Sequence, residues 1–263
     1  MSLNSNLYKL NALAFENDMM KTLLILGSNS DVGKACASRF ASEDFHIILA
    51  SRVQNEDQRT LANDLSQSFG VNTEWVYFDA LQTDMHHAFY HSLSTKPEVV
   101  ISAFGILGDH TLALDDYEEA ARITATNYLG NLSALHIIAK DMEERKAGTI
   151  IGISSVAGER GRKNNYIYGA SKAALTNFLS GLRARLATSN VHVITVIPGF
   201  ISTKMIAGMS TPKLLTAQPD EVADCVWNAY IKRENVVFVK PIWKRIMWFI
   251  RSIPENVFKK MDL

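Results

Sequence analysis

Residues 22–33 read Thr-Leu-Leu-Ile-Leu-Gly-Ser-Asn-Ser-Asp-Val-Gly. The apolar run shows no polar alternation, which is the pattern of a strand buried on both faces. It enters a turn with glycines at 27 and 33, and a helical pattern follows over about 32–42. A glycine-rich turn between strand and helix lets backbone amides and the helix N-terminus approach a pyrophosphate. The same residues also suit a tight turn that holds no ligand.

The unit repeats along the chain. Apolar runs at 46–50, 73–78, 99–103, 149–154, 191–197 and 236–239 read as further strands. Helical patterns occupy about 55–68, 83–94, 116–145, 166–188 and 219–232. Pro219 falls in the first turn of the last, where its missing N–H costs nothing. Seven strands joined by helical crossovers predict an α/β fold, a single Rossmann-type doubly wound parallel sheet with helices on both faces. Ligands of such sheets bind beyond the carboxyl ends of the strands. No internal repeat or second domain boundary is evident. The expected organisation is a cofactor-binding catalytic domain over 21–240 and a basic amphipathic tail over 241–263. Residues 1–20 are polar and weakly patterned, and they read as a leader or a non-native extension. Met20, directly before the first strand, is a candidate natural start.

Composition narrows the function. The 263 residues are 47% hydrophobic and 21% charged, which suits a globular chain with an ample core. Basic and acidic residues number 27 each, so no nucleic-acid partner is expected. Cys36 and Cys225 lie far apart without metal-ligand spacing. Neither a disulfide framework nor a metal site is expected, and a reducing cytoplasm is the expected compartment. There is no signal-peptide pattern, and no apolar run reaches roughly 18 residues.

The end of the second strand bears on the cofactor. In NAD-binding sheets an acidic residue near this point accepts hydrogen bonds from a ribose hydroxyl. Here stand Ser51 and Arg52. An arginine can grip a 2′-phosphate with two parallel bonds, and no carboxylate repels that phosphate. NADP(H) is therefore expected over NAD(H). Asp79, followed by Ala80 at the end of the third strand, either bonds an adenine amino group or caps a helix.

Tyr168-Gly-Ala-Ser-Lys172 opens the 166–188 pattern. Positions four apart share a helix face, so phenol and ammonium can converge. The cation is expected to lower the tyrosine pKa and make Tyr168 a usable proton donor or acceptor. An exposed helix pair is the alternative.

Ile153-Ser-Ser-Val-Ala-Gly158 followed by Tyr168-Gly-Ala-Ser-Lys172 resembles the active-site segment of the short-chain dehydrogenase/reductase family, with Ser155 13 positions before Tyr168. Asn127, in Thr126-Asn-Tyr-Leu-Gly130, matches that family's helix asparagine. Pro198-Gly-Phe-Ile-Ser-Thr203 matches its P-G-x-x-x-T segment. The resemblance covers about residues 20–240. It implies that Tyr168 exchanges a proton with the substrate oxygen and that Ser155 hydrogen-bonds that oxygen. Lys172 would hold the nicotinamide ribose, and Asn127 would support a proton relay. Gly27, Ser28, Asn29, Ser30, Asp31, Val32, Gly33, Ser51, Arg52, Asp79, Ala80, Ala103, Gly105, Pro198, Gly199, Ile201 and Thr203 would face the cofactor, with Tyr168 and Lys172. The implied activity is hydride transfer between NADP(H) and a small-molecule carbonyl or alcohol. The implied assembly is a homodimer or homotetramer through the 116–145 and 166–188 helices, with Leu129, Leu132, Leu135, Phe178, Leu179 and Leu182 as apolar candidates. A catalytically silent NADP sensor or scaffold is the competing reading, and it would be free to lose Tyr168 and Lys172.

Two departures from the family pattern stand out. Its glycine turn is G-x-x-x-G-x-G, and Asp31 replaces the middle glycine. Asp31 is expected to cap the helix and point away from the pyrophosphate. Its N-N-A-G is here Ser102-Ala-Phe-Gly105, which loses both asparagines.

In the tail, Trp243, Ile246, Met247, Trp248, Phe249, Ile250 and Ile253 alternate with Lys244, Arg245 and Arg251. Such a helix either packs on the body or lies in a membrane interface. The tail and Ala103–Asp109 resemble reductases of polyprenyl-phosphate-linked keto sugars. That implies a lipid-linked sugar substrate and peripheral contact with the inner membrane surface. The 200–217 loop, through Met205, Ile206, Met209, Leu214 and Leu215, is expected to shape an apolar substrate pocket.

Overall fold

The computed structural model describes residues 21–261. The expected leader lies outside the described residues. The first half runs β1 (Thr22–Leu26), α1 (Asp31–Ala41), β2 (His46–Ser51), α2 (Glu56–Phe69), β3 (Thr73–Tyr77), α3 (His86–His91) and β4 (Val99–Ser102). The second half runs α4 (Tyr117–Thr124), α5 (Gly130–Arg145), β5 (Gly148–Ile153), α6 (Tyr166–Leu186) and β6 (Val191–Ile197). A two-residue pair, β7 (Phe200–Ile201) and β8 (Thr216–Ala217), brackets the loop before α7 (Pro219–Ile231), β9 (Val236–Phe238) and α8 (Ile242–Ser252).

The main sheet has the order β3-β2-β1-β4-β5-β6-β9, and every neighbouring pair is parallel. The order reverses between β1 and β4, which opens a crevice beyond their carboxyl ends. The continuous apolar run of β1 follows from this placement. Leu23 and Ile25 enter the core under α1 and α7, while Leu24 and Leu26 enter the core under α5 and α6. All four are fully buried.

Two expected helices differ. The 83–94 pattern yields only His86–His91, because the preceding residues are taken up in turns that place His86 against the Asp79 carbonyl and Ser133. The 116–145 pattern is interrupted by a π-turn at Ala125–Leu129, which contains Asn127.

The tail packs on the body. Trp243, Met247, Ile250 and Phe258 join Val156 and Ile197 in a third core cluster. Arg160 fastens it by donating to the Ile250 and Ile253 carbonyls and to Glu255. The opposite face leaves Trp248 and Phe249 exposed. Among the described residues no helix is long and apolar enough to cross a membrane.

Candidate active site

A cavity of about 580 Å³ opens at the switch point. Its floor is the turn after β1. Gly27 holds φ +87°, and a Cβ there would lie 2.6 Å from the Phe104 Cβ. Ser30 caps α1, accepting from the Gly33 N–H at 3.0 Å and donating to the Gly27 carbonyl at 2.9 Å. A Cβ on Gly33 would meet that same carbonyl at 2.7 Å. The turn therefore closes tightly only with glycine at both ends.

Gly27, Asn29, Ser30, Asp31 and Val32 line the cavity. Gly33 stands behind them, and so does Ser28, which is fully buried and donates to Gln58 Oε1 at 2.8 Å. Asp31 is not the cap, because Ser30 fills that role. The Asp31 carboxylate instead accepts the Lys204 N–H at 2.9 Å, tying the loop after β6 to the first turn of α1.

At the next strand end the Ser51 hydroxyl donates to the Val53 carbonyl and accepts from Trp75 Nε1 at 2.8 Å. Arg52 is exposed on the rim and makes no ion pair among the described residues. Asp79 and Ala80 line the cavity, with Asp79 Oδ1 accepting from the Leu81 N–H. Ala103 and Gly105 form the wall after β4. Between them Phe104 packs on Phe78, with centroids 5.6 Å apart, so aromatic contact occupies the wall that lost its asparagines.

Asn127 is fully buried behind Gly105, where a Cβ would come within 2.6 Å of Asn127 Oδ1. Its amide accepts from the Ile106 N–H at 3.0 Å and donates to the Ile106 and Ile123 carbonyls. Asn131 Nδ2 in turn donates to the Asn127 carbonyl at 3.0 Å. A π-turn disengages backbone carbonyls from their usual partners, and these two amides satisfy them.

Ser155, Tyr168 and Lys172 meet at the far wall. Ser155 leaves β5 and accepts from the Ala157 N–H at 3.1 Å, which turns the chain toward α6. Burial pushes the Tyr168 hydroxyl up to about 12, and its hydrogen bond with Ser155 opposes that rise. Burial pushes the Lys172 ammonium down to about 8. Lys172 Nζ lies 5.9 Å from the Tyr168 ring centre and donates to the Ile153 carbonyl at 3.0 Å. The expected lowering of the tyrosine pKa by Lys172 is therefore not found. Desolvation outweighs an ammonium turned toward a backbone oxygen.

Pro198, Gly199, Ile201 and Thr203 complete the wall after β6. Trp243 of α8 presses on Gly199, where a Cβ would lie 2.0 Å from the indole nitrogen. Met205, Ile206 and Met209 face the cavity. Leu215 instead packs against the tail cluster, and Leu214 faces solvent. Sequence reasoning missed Arg122, Arg162 and Asn165, which also line the cavity. Arg162 and Asn165 stand singly in the segment before α6 and Arg122 singly on α4, so no spacing marks them.

A family model for short chain dehydrogenase matches residues 21–213. The chain belongs to the short-chain dehydrogenase family. An uncharacterized oxidoreductase of Mycobacterium tuberculosis is 31% identical to it over 242 residues, covering 91% of this chain and 96% of that protein. A solved short-chain dehydrogenase from Sphingobium yanoikuyae in complex with NADPH is similar in fold, with a TM-score of 0.77 at 21% identity over 90% of this chain and 97% of that one. A 3-oxoacyl-(acyl-carrier protein) reductase from Brucella melitensis in complex with NAD gives 0.75 at 20% identity, over 84% of this chain and 96% of that one. This short-chain dehydrogenase is a nicotinamide-dependent oxidoreductase, and its cavity sits where the doubly wound sheet reverses.

Proposed function

We propose that this short-chain dehydrogenase interconverts a carbonyl and an alcohol with NADP(H), using Tyr168 as proton donor and acceptor. The observation that carries the reading is the meeting of Tyr168, Ser155 and Lys172 on one cavity wall. The turn at Gly27–Gly33 suits the cofactor pyrophosphate, because its close-packed glycines bring the N-terminus of α1 up to the cavity floor. Arg52, exposed on the rim, suits a 2′-phosphate. When bound, the cofactor supplies or accepts the hydride.

The chain's own residues do the rest. With its pKa near 12, Tyr168 keeps its proton through neutral pH and gives it to the substrate oxygen during reduction. The Ser155 hydroxyl hydrogen-bonds the same oxygen and stabilises the charge that develops there. Lys172 carries its charge below about pH 8 and holds the nicotinamide ribose. Asn127 positions the 105–106 wall against Lys172.

Tyr168→Phe tests the reading. Turnover of a ketone that the wild type reduces should fall by roughly 10²–10⁴-fold, while NADPH affinity, read by isothermal titration, stays near that of the wild type. Near-normal turnover by a folded Tyr168→Phe protein would remove Tyr168 from the chemistry. It would leave the silent cofactor-sensing alternative.

A further inference from the structure

The cavity holds a cation that the proton-transfer chemistry does not use. Arg162 lies between Ser155 and Tyr168 in sequence, on the segment that joins β5 to α6, and it lines the cavity. A guanidinium has five N–H donors and needs acceptors for them. Among the described residues the acceptor in reach is the Met247 thioether, 3.7 Å from Nη2, which is a weak one. Arg162 Nε is buried without any partner. No carboxylate among the described residues pairs with the side chain, and burial pulls its pKa below the usual arginine range. The contrast is Arg122, which also lines the cavity but is neutralised by Glu119 through two bonds of 2.7 and 2.8 Å.

A second unused group stands beside it. Asn165 caps α6 by position, yet its side chain makes no capping bond. Its amide oxygen is buried without a partner, and the residue lines the same cavity. Asparagine at this position ordinarily bonds the first turn of the helix. Here that oxygen is left for something else.

A half-buried cation with a buried, unpartnered Nε is costly, and a buried acceptor without a donor is too. Both faults lie on the wall that carries Tyr168, and one ligand can satisfy both. We infer that Arg162 receives an anionic group of the carbonyl substrate, a carboxylate or a phosphate, while Asn165 accepts a hydrogen bond from a neighbouring hydroxyl or amide of the same molecule. The cofactor 2′-phosphate is not that anion. Its rim follows β2, which stands three places from β5 in the sheet, about 14 Å at the usual strand spacing.

The inference rests on the oxidoreductase reading, so the test separates the two. Three ketones of equal length are compared with NADPH: a keto acid, its methyl ester and the corresponding keto phosphate. The wild type should use at least one anion with kcat/KM about tenfold or more above the ester. Arg162→Gln should lower kcat/KM for that anion at least tenfold more than for the ester, and Arg162→Lys should recover part of the loss. The acid and phosphate arms tell which anion is meant. Isothermal titration of the NADPH-loaded protein with phenyl phosphate and with benzoate gives a readout that needs no turnover. At least one should bind, and Arg162→Gln should weaken it about tenfold. Preference for the ester, equal losses for acid and ester in Arg162→Gln, or no Arg162-dependent anion binding would overturn the inference. Loss of NADPH binding or of all ketone turnover in the wild type would instead sink the oxidoreductase reading, and the anion titrations would still decide the role of Arg162.

Discussion

Burial moves Lys172 and Tyr168 in opposite directions, since it favours the neutral form of each. The linkage has a definite sign. Lys172 titrates near 8 in the fold and near 10.5 when unfolded, so the unfolded chain holds more protons between those values. Stability therefore rises with pH through that window. Tyr168, held up to about 12, makes the fold the better proton holder above pH 10, and stability falls there. Replacing Lys172 by Met removes the first slope. The wild type should gain on Lys172→Met by up to about 3 kcal/mol between pH 7 and 10, read from urea midpoints, and parallel profiles would refute the assignment. Arg52 makes a separate prediction. Arg52→Ala should weaken NADPH about tenfold or more and leave NADH unchanged in isothermal titration. An equal loss for both would mean that Arg52 only supports the rim. That Tyr168 and Lys172 share a helix face was legible from their four-residue spacing, and the meeting of Ser155 with them from the family resemblance. Arg162 was not, because its meaning lies in the carboxylate that is missing around it.

At the scale of elements, β1 and its turn were legible because unbroken apolar runs occur where both faces are covered. The fate of Asp31 was not. A first-turn carboxylate reads as a cap, but the Ser30 hydroxyl already serves the Gly33 N–H. That leaves Asp31 to bond Lys204, 173 positions away. The tail shows the same limit. Its periodicity marked an amphipathic helix without saying what its apolar face meets, and the answer is Val156, Ile197 and the glycine at 199. Two tryptophans of α8 now separate packing from surface. Trp243 is 4% exposed and its indole donates to the Leu215 carbonyl at 3.0 Å, while Trp248 is 68% exposed. Trp243→Ala should cost about 3–5 kcal/mol in urea unfolding, and Trp248→Ala less than about 0.5 kcal/mol. Similar losses at both sites would mean that α8 is not seated as described.

For the whole molecule, assembly turns on the helix faces that do not meet the sheet. Six apolar positions were candidates for an interface, and the fold divides them. Leu135, Leu179 and Leu182 are buried in the core, and Phe178 packs against it from a partly buried position. Leu132 is half-buried, and Leu129 remains 47% exposed. Periodicity marks apolar positions on α5 and α6 without telling the sheet-facing side from the other, so this division needed the three-dimensional fold. Beyond Leu129, large apolar groups stay exposed at Leu112, Leu114, Tyr117 and Tyr166. They come from the 112–129 stretch and the head of α6, elements that contact one another. Exposed apolar groups on neighbouring elements are where a second copy is expected to dock. In a symmetric pair the same patch would meet its own copy. Light scattering at micromolar concentration should therefore give a multiple of the 29.3 kDa chain mass. Leu129→Glu places a charge in that contact without touching the buried core, so it should lower the measured mass toward one chain while leaving the thermal midpoint of the folded chain little changed. A wild-type protein that runs as a clean monomer, or a Leu129→Glu protein with the same assembly as the wild type, would remove this face from the interface.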